Sequence, residues 1–344
     1  MNEREAMARA IVLAERGWGR VHPNPMVGAV LLKQGEAVAE GWHAEFGGPH
    51  AEANALAAAG DLAEGSTCVV TLEPCAHQGK TPPCTDALLA AGVARVVSAV
   101  RDPNPEAAGG LAILKAGGVS VESGLLAEDA GRMNAAFLCA ATNADRPWVA
   151  VKVATSSDGF LASPDRTPRW ISSYEARDWV QWLRAGFDAV AVGRVTVETD
   201  NPQLTVRGPL TPRVAPTRVV FSRRGALSRD RIIFATPEAA PTILLSDADG
   251  EDTIAKLRSL RARGIRSLLV EGGAELIQSL LADDLVDRIY WVRARRMALN
   301  RGVSAFGDFL PDQAEALGWK VVQRQALGPD TLIVTDRRLC LPAS

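Results

Sequence analysis

A His-x-Glu at His50–Glu52, followed by a proline-led cysteine at Cys75 and a second cysteine at Cys84, constrains this chain more than any other feature. Eight residues separate the cysteines, and the histidine lies about one supersecondary unit upstream. Zinc prefers thiolate and imidazole in a tetrahedral shell, and a hydrolytic zinc keeps three protein ligands so that the fourth position can hold water. His50, Cys75 and Cys84 make such a set, and water at the open position becomes a usable nucleophile near neutral pH. Glu52 lies two positions from His50, close to the metal without pointing at it, and is the candidate proton carrier. The alternative is a closed structural site with His77 or Cys68 as fourth ligand, which leaves Glu52 without a role.

The layout matches that of the zinc nucleobase deaminases, His-x-Glu followed by Pro-Cys-x-x-Cys with the glutamate outside the metal shell, except that the cysteines here are farther apart. The added loop carries His77 and Lys80, polar groups able to touch a substrate. All four histidines, His22, His43, His50 and His77, fall in the first quarter of the chain. Two chemistries on two domains produce such an imbalance, the second needing no histidine.

A length of 344 residues fits two domains of ordinary size. A net charge of −2 argues against a surface built for polyanions, so a nucleic-acid substrate is disfavoured. The first ten residues alternate charges without an apolar core of signal-peptide length, and no apolar run is long enough to cross a bilayer. The cysteine count is odd and two of the five sit in the metal pattern, which fits a reducing, cytoplasmic compartment; Cys68, Cys139 and Cys340 read as lone core or surface residues.

Asn2 and Glu5 form a capping-box pattern for a first helix that Gly17 stops. His22-Pro-Asn-Pro25 is a rigid loop that leaves Asn24 free to project. Strands are predicted over 27–32, 37–42, 67–72, 94–100 and 119–123, and helices from His50 to Ala59 and over 85–91, 107–116 and 125–141. Asn143-Ala-Asp-Arg-Pro147 is polar and closed by a proline, and marks the boundary between domains 1–143 and 148–344.

The second half restarts with the strand Trp148–Ala154, whose single lysine, Lys152, either faces a cleft or snorkels from an edge. Strands at 188–192, 217–221, 243–245, 267–270 and 288–292 alternate with helices near 173–184, 252–263 and 274–282, which means α/β with a largely parallel sheet. Strands near 319–324 and 331–335 add an antiparallel hairpin. The Gly272-Gly273 turn opens a helix directly after a strand, where backbone amides can approach a phosphate, although a plain tight turn reads the same way. Arg223 and Arg224 either grip a cofactor 2′-phosphate or form an exposed basic turn, so the choice between NADPH and NADH stays open.

Taken together, His22-Pro-Asn-Pro-x-Val-Gly28, Pro49-His-Ala-Glu52, Thr71-Leu-Glu-Pro-Cys75, Gly79-Lys-Thr-Pro-Pro-Cys84 and Asp102-Pro-Asn-Pro105 closely resemble the bifunctional deaminase/reductase family of riboflavin biosynthesis. In the second half the resemblance rests on Ser157-Asp-Gly159, Trp170-Ile-Ser172, Asn201-Pro202, Leu204-Thr-Val-Arg207 and Val270-Glu-Gly-Gly273. It implies a cytidine-deaminase-like αβα domain followed by a dihydrofolate-reductase-like α/β domain. The first would hydrolyse the 2-amino group of a phosphoribosylaminopyrimidine with Zn2+, and the second would reduce the ribosyl group to ribityl with NADPH. His50, Cys75 and Cys84 match the metal ligands and Glu52 the catalytic carboxylate, while Asn24, His43, His77, Lys80 and Asn104 match substrate positions. In the second domain Ala154, Trp170, Thr196, Asp200, Gly272 and Gly273 match cofactor contacts, and Lys152, Arg184, Leu204, Arg207 and Glu271 the substrate side. Arginine holds phosphate through paired hydrogen bonds, so Arg184 and Arg207 are candidate anchors, against plain readings as a solvated helix face and a loop charge.

Four places depart from the family pattern: in the first half Ala107-Ala-Gly-Gly110 is one residue short after the Asn-Pro loop, and in the second Pro168 stands where a serine is usual, Ser222 where a strand usually ends in Asp, and Arg293–Met297 replaces a more apolar stretch. The deaminase motifs themselves are intact, so the reductase half is singled out as the place where activity would be altered. Rival readings are a zinc deaminase of another nucleobase, including one in transfer RNA, with a weakened reductase, and a zinc-stabilised nucleotide-binding scaffold without turnover. The resemblance implies small phosphoribosyl pyrimidines as partners, without nucleic acid or membrane, and leaves self-association open.

Overall fold

The computed structural model describes residues 1–142, 144–165, 170–225, 227–246, 252–307 and 314–337, so Pro168 and Cys340 lie outside the described residues. The chain divides into two units, Met1–Ala144 and Asp145–Arg338.

The first unit opens with α1 (Glu3–Ala14), whose capping box is made as the sequence predicts: Asn2 accepts from Glu5 N at 2.8 Å and Glu5 accepts from Asn2 N at 2.9 Å. It continues with β1 (Gly28–Lys33), β2 (Glu36–Trp42), α2 (Ala51–Ala59), β3 (Thr67–Leu72), α3 (Cys84–Ala90), β4 (Arg95–Val100), α4 (Gly110–Ala116), β5 (Ser120–Ser123), α5 (Ala127–Met133) and α6 (Ala135–Ala141). The sheet order is β2-β1-β3-β4-β5, antiparallel at β1 and parallel from β3 to β5. Strand residues alternate between two cores. Cys68 and Val70 face Ala51 and Ala55 of α2, Leu88 of α3 and Leu114 of α4; Val69 and Val97 face Met7 and Ala10 of α1 and Leu138 of α6. Three layers, αβα, follow from that alternation.

Close helix contact needs glycine at several places, and two of them bear on the metal-type ligands. A Cβ at Gly41 of β2 would lie 2.3 Å from Ala51 O and 2.4 Å from Ala55 N, so α2 rests directly on the strand. A Cβ at Gly110 would lie 1.8 Å from Pro74 O, which seats α4 against the residue before Cys75. The predicted helix over 107–116 therefore starts only at Gly110, where backbone contact fixes it. The predicted helix over 125–141 is two helices, because Asn134 turns aside to accept from Met26 N at 2.9 Å and donate to Met26 O at 2.8 Å. Cys139 is disulfide-bonded, unlike the lone thiol the sequence predicts.

The second unit holds β6 (Trp148–Thr155), β7 (Phe160–Ala162), α7 (Tyr174–Ala185), β8 (Ala189–Gly193), α8 (Arg194–Asp200), β9 (Thr217–Ser222), α9 (Ile232–Ala235), β10 (Thr242–Ser246), α10 (Thr253–Ala262), β11 (Ser267–Val270), α11 (Ala274–Ala282), β12 (Arg288–Arg293), β13 (Val303–Ser304), β14 (Lys320–Leu327) and β15 (Asp330–Asp336). Its main sheet runs β10-β9-β8-β11-β6-β12-β15-β14, parallel from β10 to β12 and closed by the antiparallel β14–β15 hairpin. Val149, Val151 and Val153 point into a core with Leu257 and Leu260 of α10 and Ile277 and Leu280 of α11. Lys152, between them in sequence, points to the other face. Since β6 is paired on both sides, by β11 and β12, the edge reading of Lys152 is excluded.

Candidate active sites

In the first unit, β3 ends at Leu72 and the chain turns through Pro74 to Cys75; α2 and α3 begin at the same end, with His50 as N-cap of α2 and Cys84 as the first residue of α3. Parallel strands deliver their following loops to one rim, so three ligands distant in sequence converge there. His50 Nδ1 lies 3.5 Å from Cys75 Sγ and 3.3 Å from Cys84 Sγ. Among the described residues, the group of three or more metal-type ligands converging within 4.8 Å is His50, Cys75 and Cys84; His77 and Cys68 are not in it. Cys68 instead faces the apolar core.

The protonation of this set fits a divalent cation. Cys75 is drawn towards thiolate by a hydrogen bond from the Cys84 thiol, against the effect of burial and with help from His50, while Cys84 is pushed up by that same bond and by burial. The two sulfurs thus hold one proton between them at a place where a metal would displace it. His50 Nε2, turned away from the sulfurs, stands 3.4 Å from Thr81 Oγ1. Glu52, 3 % exposed in the first turn of α2, is outside the ligand group, and burial raises its carboxyl. A buried carboxyl raised towards neutrality can take and return a proton.

The remaining candidates surround this rim. His43 is buried, with Nδ1 3.0 Å from Pro49 O and Nε2 3.2 Å from Asn24 Nδ2, and its ring meets that of His50 edge-on at 5.3 Å. His77 Nδ1 is buried without a hydrogen-bond partner among the described residues, as a group awaiting a ligand would be. Lys80 is exposed, its Nζ 4.1 Å above the Phe46 ring. Asn104 is held in the loop after β4, its Oδ1 accepting from Glu106 N at 3.2 Å. That loop is tied down by Glu73, which accepts from Asp102 N at 3.1 Å and Leu111 N at 3.0 Å. Thr81 and Asp102 are groups the sequence did not single out; burial pushes the Asp102 carboxyl up to about 6, partly opposed by the Asn104 N–H, with Glu73 and Cys75 adding to the rise.

In the second unit a cleft of about 1390 Å³ opens at the carboxyl ends of β8, β9 and β11, and Thr196, Asp200, Glu271, Gly272 and Gly273 are in its wall together with Ser222, Arg223 and Arg224. Gly272 and Gly273 both have left-handed backbone, φ 103° and 54°, at the start of α11. Consecutive backbone amides at a helix amino end, here in the wall of the cleft, form a cradle for phosphate, so the residues present fit a dinucleotide. Arg223 pairs with Glu275 at 3.1 Å on the surface.

Behind the cleft, Glu271 is 4 % exposed and receives Arg184 through Nε at 2.5 Å and Nη2 at 3.0 Å, and Lys152 Nζ at 3.3 Å. Burial would raise its carboxyl, but Arg184 and Lys152 outweigh this and hold it at about 2. Arg184 Nη1 also donates to Thr205 O at 2.9 Å, so this guanidinium is buried and bonded within the protein and is not a solvated helix face. Leu204 is buried with φ 52°, and Arg207, three residues on, is exposed with its backbone N–H bonded to Gln181 at 3.0 Å. Ala154 shares the face of Lys152 on β6. Trp170 is 78 % exposed with Arg177 stacked on it at 4.8 Å, and neither it, Ala154, Lys152, Arg184, Leu204 nor Arg207 is in the cleft wall.

Comparison with known proteins agrees with this geometry. Residues 1–100 match the cytidine and deoxycytidylate deaminase zinc-binding region, and residues 147–333 match the RibD C-terminal domain. The chain is 37% identical to the riboflavin biosynthesis protein RibD of Escherichia coli over 97% of this chain and 99% of that protein, and 36% identical to that of Aquifex aeolicus over 97% and 98%. The crystal structure of a diaminohydroxyphosphoribosylaminopyrimidine deaminase/5-amino-6-(5-phosphoribosylamino)uracil reductase from Thermotoga maritima is similar with a TM-score of 0.82 and 36% identity, over 98% of this chain and 99% of that one. Acinetobacter baumannii RibD gives a TM-score of 0.81 at 34% identity, over 98% and 99%.

Proposed function

Since this chain belongs to the RibD family, and so to riboflavin biosynthesis as a zinc-dependent deaminase and NADPH-dependent reductase, we propose the following division of labour among its own residues. Residues 1–143 carry deamination and 148–344 carry reduction. The substrate of the first is 2,5-diamino-6-(5-phosphoribosylamino)pyrimidin-4-one, and its deaminated product is the substrate of the second. A bifunctional relative of the same architecture supports that pairing.

His50 Nδ1, Cys75 Sγ and Cys84 Sγ would hold zinc, which would supply the Lewis acidity that activates water near neutral pH. Glu52 takes the water's proton and returns it to the departing nitrogen, so that ammonia leaves as a neutral molecule. His77, Lys80 and Asn104 face the phosphoribosyl side of the pocket, and Asn24 and His43 the ring. The observation that carries this reading is the convergence of one imidazole nitrogen and two sulfurs beside a buried carboxyl outside the ligand group.

In the second unit Gly272 and Gly273 would hold the pyrophosphate of NADPH, with Thr196 and Asp200 in the same cleft wall; Ala154 and Trp170, outside that wall, are the further cofactor positions that the family resemblance implies. NADPH supplies the hydride that reduces the ribosyl carbon. Glu271 holds the Lys152 side chain beside the sugar by their ion pair, and Arg184 positions Glu271 and the loop that carries Leu204 and Arg207. Arg207 is the cation left for the substrate phosphate.

The test is ammonia release from the diaminopyrimidine ribotide by the zinc-loaded chain, followed by oxidation of NADPH. Glu52→Gln should abolish ammonia release while zinc stays bound; normal deamination by this variant would remove Glu52 from its role. Fluorescence titration with NADPH should show binding below millimolar, and no binding there would remove the reductase assignment.

A further inference from the structure

We propose that Gln181 is a positioning residue for the reductase: its amide oxygen holds the backbone N–H of Arg207, and so sets the direction from which the Arg207 guanidinium meets the phosphate of the substrate. This rests on the reductase reading above, in which Arg207 is the cation for that phosphate, and adds the residue that aims it.

The segment that carries Arg207 lies along one stripe of α7. Asp178, Gln181 and Arg184 stand three residues apart and therefore share a face of that helix. Arg184 Nη1 donates to Thr205 O at 2.9 Å, and Gln181 Oε1 accepts from Arg207 N at 3.0 Å. A Cβ on Gly208 would lie 3.9 Å from Asp178 Oδ1. Loop and helix thus run antiparallel, with residue 205 beside 184, 207 beside 181 and 208 beside 178. Gly208 has φ 124°, a left-handed backbone that turns the chain immediately after Arg207.

The loop is secured step by step up to Thr205. Asn201 Oδ1 accepts from Ile232 N at 2.9 Å, Leu204 is buried, and the guanidinium that holds Thr205 O is itself locked by Glu271 through Nε and Nη2. Past that point one fixed carbonyl leaves the chain a pivot, and the bond from Arg207 N to Gln181 removes it. The orientation of the Gln181 amide follows from its neighbours. Arg207 N–H and Arg184 Nη1, the latter at 3.5 Å, are both donors, so the oxygen is the atom turned to them. Arg207 is exposed, and its long side chain samples many rotamers. Holding its backbone in advance lowers the ordering cost that phosphate binding would otherwise carry.

The experiment uses the full-length chain with NADPH and two substrates, 5-amino-6-(5-phosphoribosylamino)uracil and the riboside left when its phosphate is removed. Gln181→Leu should raise KM for the phosphorylated substrate roughly fivefold, the value of one lost hydrogen bond, with little change in kcat or in NADPH binding. On the riboside, which lacks the group Arg207 meets, KM should not move. Gln181→Glu keeps an accepting oxygen and should bring KM back towards wild type. Added to Arg207→Ala, Gln181→Leu should raise KM no further. The proposal is overturned by a KM rise as large on the riboside as on the phosphorylated substrate, by a Gln181→Glu variant as impaired as Gln181→Leu, or by a silent Gln181→Leu beside an Arg207→Ala that raises KM. An Arg207→Ala variant with unchanged KM for the phosphorylated substrate overturns the anchor reading itself, and the aiming role with it.

Discussion

Replacing Glu271 by glutamine removes the anion that Lys152 and Arg184 share behind the reductase cleft. All three side chains are largely buried, at 16%, 10% and 4% exposure for Lys152, Arg184 and Glu271, so solvent screening takes little from the interaction. The Glu271 carboxyl sits at about 2 against an ordinary 4.5. That difference corresponds to about 3 kcal/mol of stability at pH 7, and the loss expected on breaking a buried pair is of the same order, ~3–5 kcal/mol. Because the folded value lies below the unfolded one, the contribution is complete above the ordinary 4.5 and disappears as pH falls towards 2. Glu271→Gln should therefore weaken the second unit at pH 7 by about 3 kcal/mol and flatten its acid-side loss of stability relative to wild type. Urea unfolding of the full chain followed by tryptophan fluorescence reads this unit preferentially, since six of the eight tryptophans, Trp148, Trp170, Trp179, Trp182, Trp291 and Trp319, lie in it. A loss below ~0.5 kcal/mol at pH 7, the worth of a surface pair, would refute the reasoning. So would an acid-side slope identical to wild type.

Three further perturbations bear on the two sites. Gly41→Ala places a methyl group 2.3 Å from Ala51 O, and should cost about 1–3 kcal/mol as overpacking while shifting the start of α2; full stability with unchanged zinc affinity would show that α2 has room to move. Thr81→Val should weaken zinc binding roughly 10–100-fold in chelator competition by releasing His50 Nε2, and Thr81→Ser should restore it. If valine binds zinc as threonine does, Thr81 does not orient the ligand. Changing Arg223 and Arg224 together to alanine should raise KM for NADPH roughly tenfold or more and leave NADH unaffected, if these arginines face the 2′-phosphate; equal loss with both cofactors would assign the turn no part in the choice.

The deaminase half was legible because its signals are short and chemically distinctive. Asn2 and Glu5 make a capping box within one turn, and His50, Cys75 and Cys84 stand at the starts of helices and the end of a strand that periodicity alone locates. What escaped depends on contacts periodicity cannot carry. Thr81 is an unremarkable residue in a spacer until the loop folds back on His50 Nε2. The apolar pattern over 125–141 is continuous, and only Met26, 108 residues away, shows why the helix breaks at Asn134.

In the reductase half the sequence placed charged residues on elements without giving their partners. Lys152 had two readings because a lysine in an apolar strand is tolerable at an edge or against an anion, and strand order decides between them. The neighbours of β6 are β11 and β12, more than a hundred residues later in the chain, so no local pattern could have placed it centrally. Arg184 had the spacing of a helix-face residue, yet its partner Glu271 is 87 residues away. Once that pairing exists, the chemistry of the region changes: a cation already bonded to a carboxylate and to Thr205 O has no free edge with which to grip a phosphate in the paired geometry arginine favours. We propose that the duty passes to Arg207, whose exposed side chain rides on the loop that Arg184 holds. On that proposal an arginine that the sequence offers as a candidate anchor acts by positioning another.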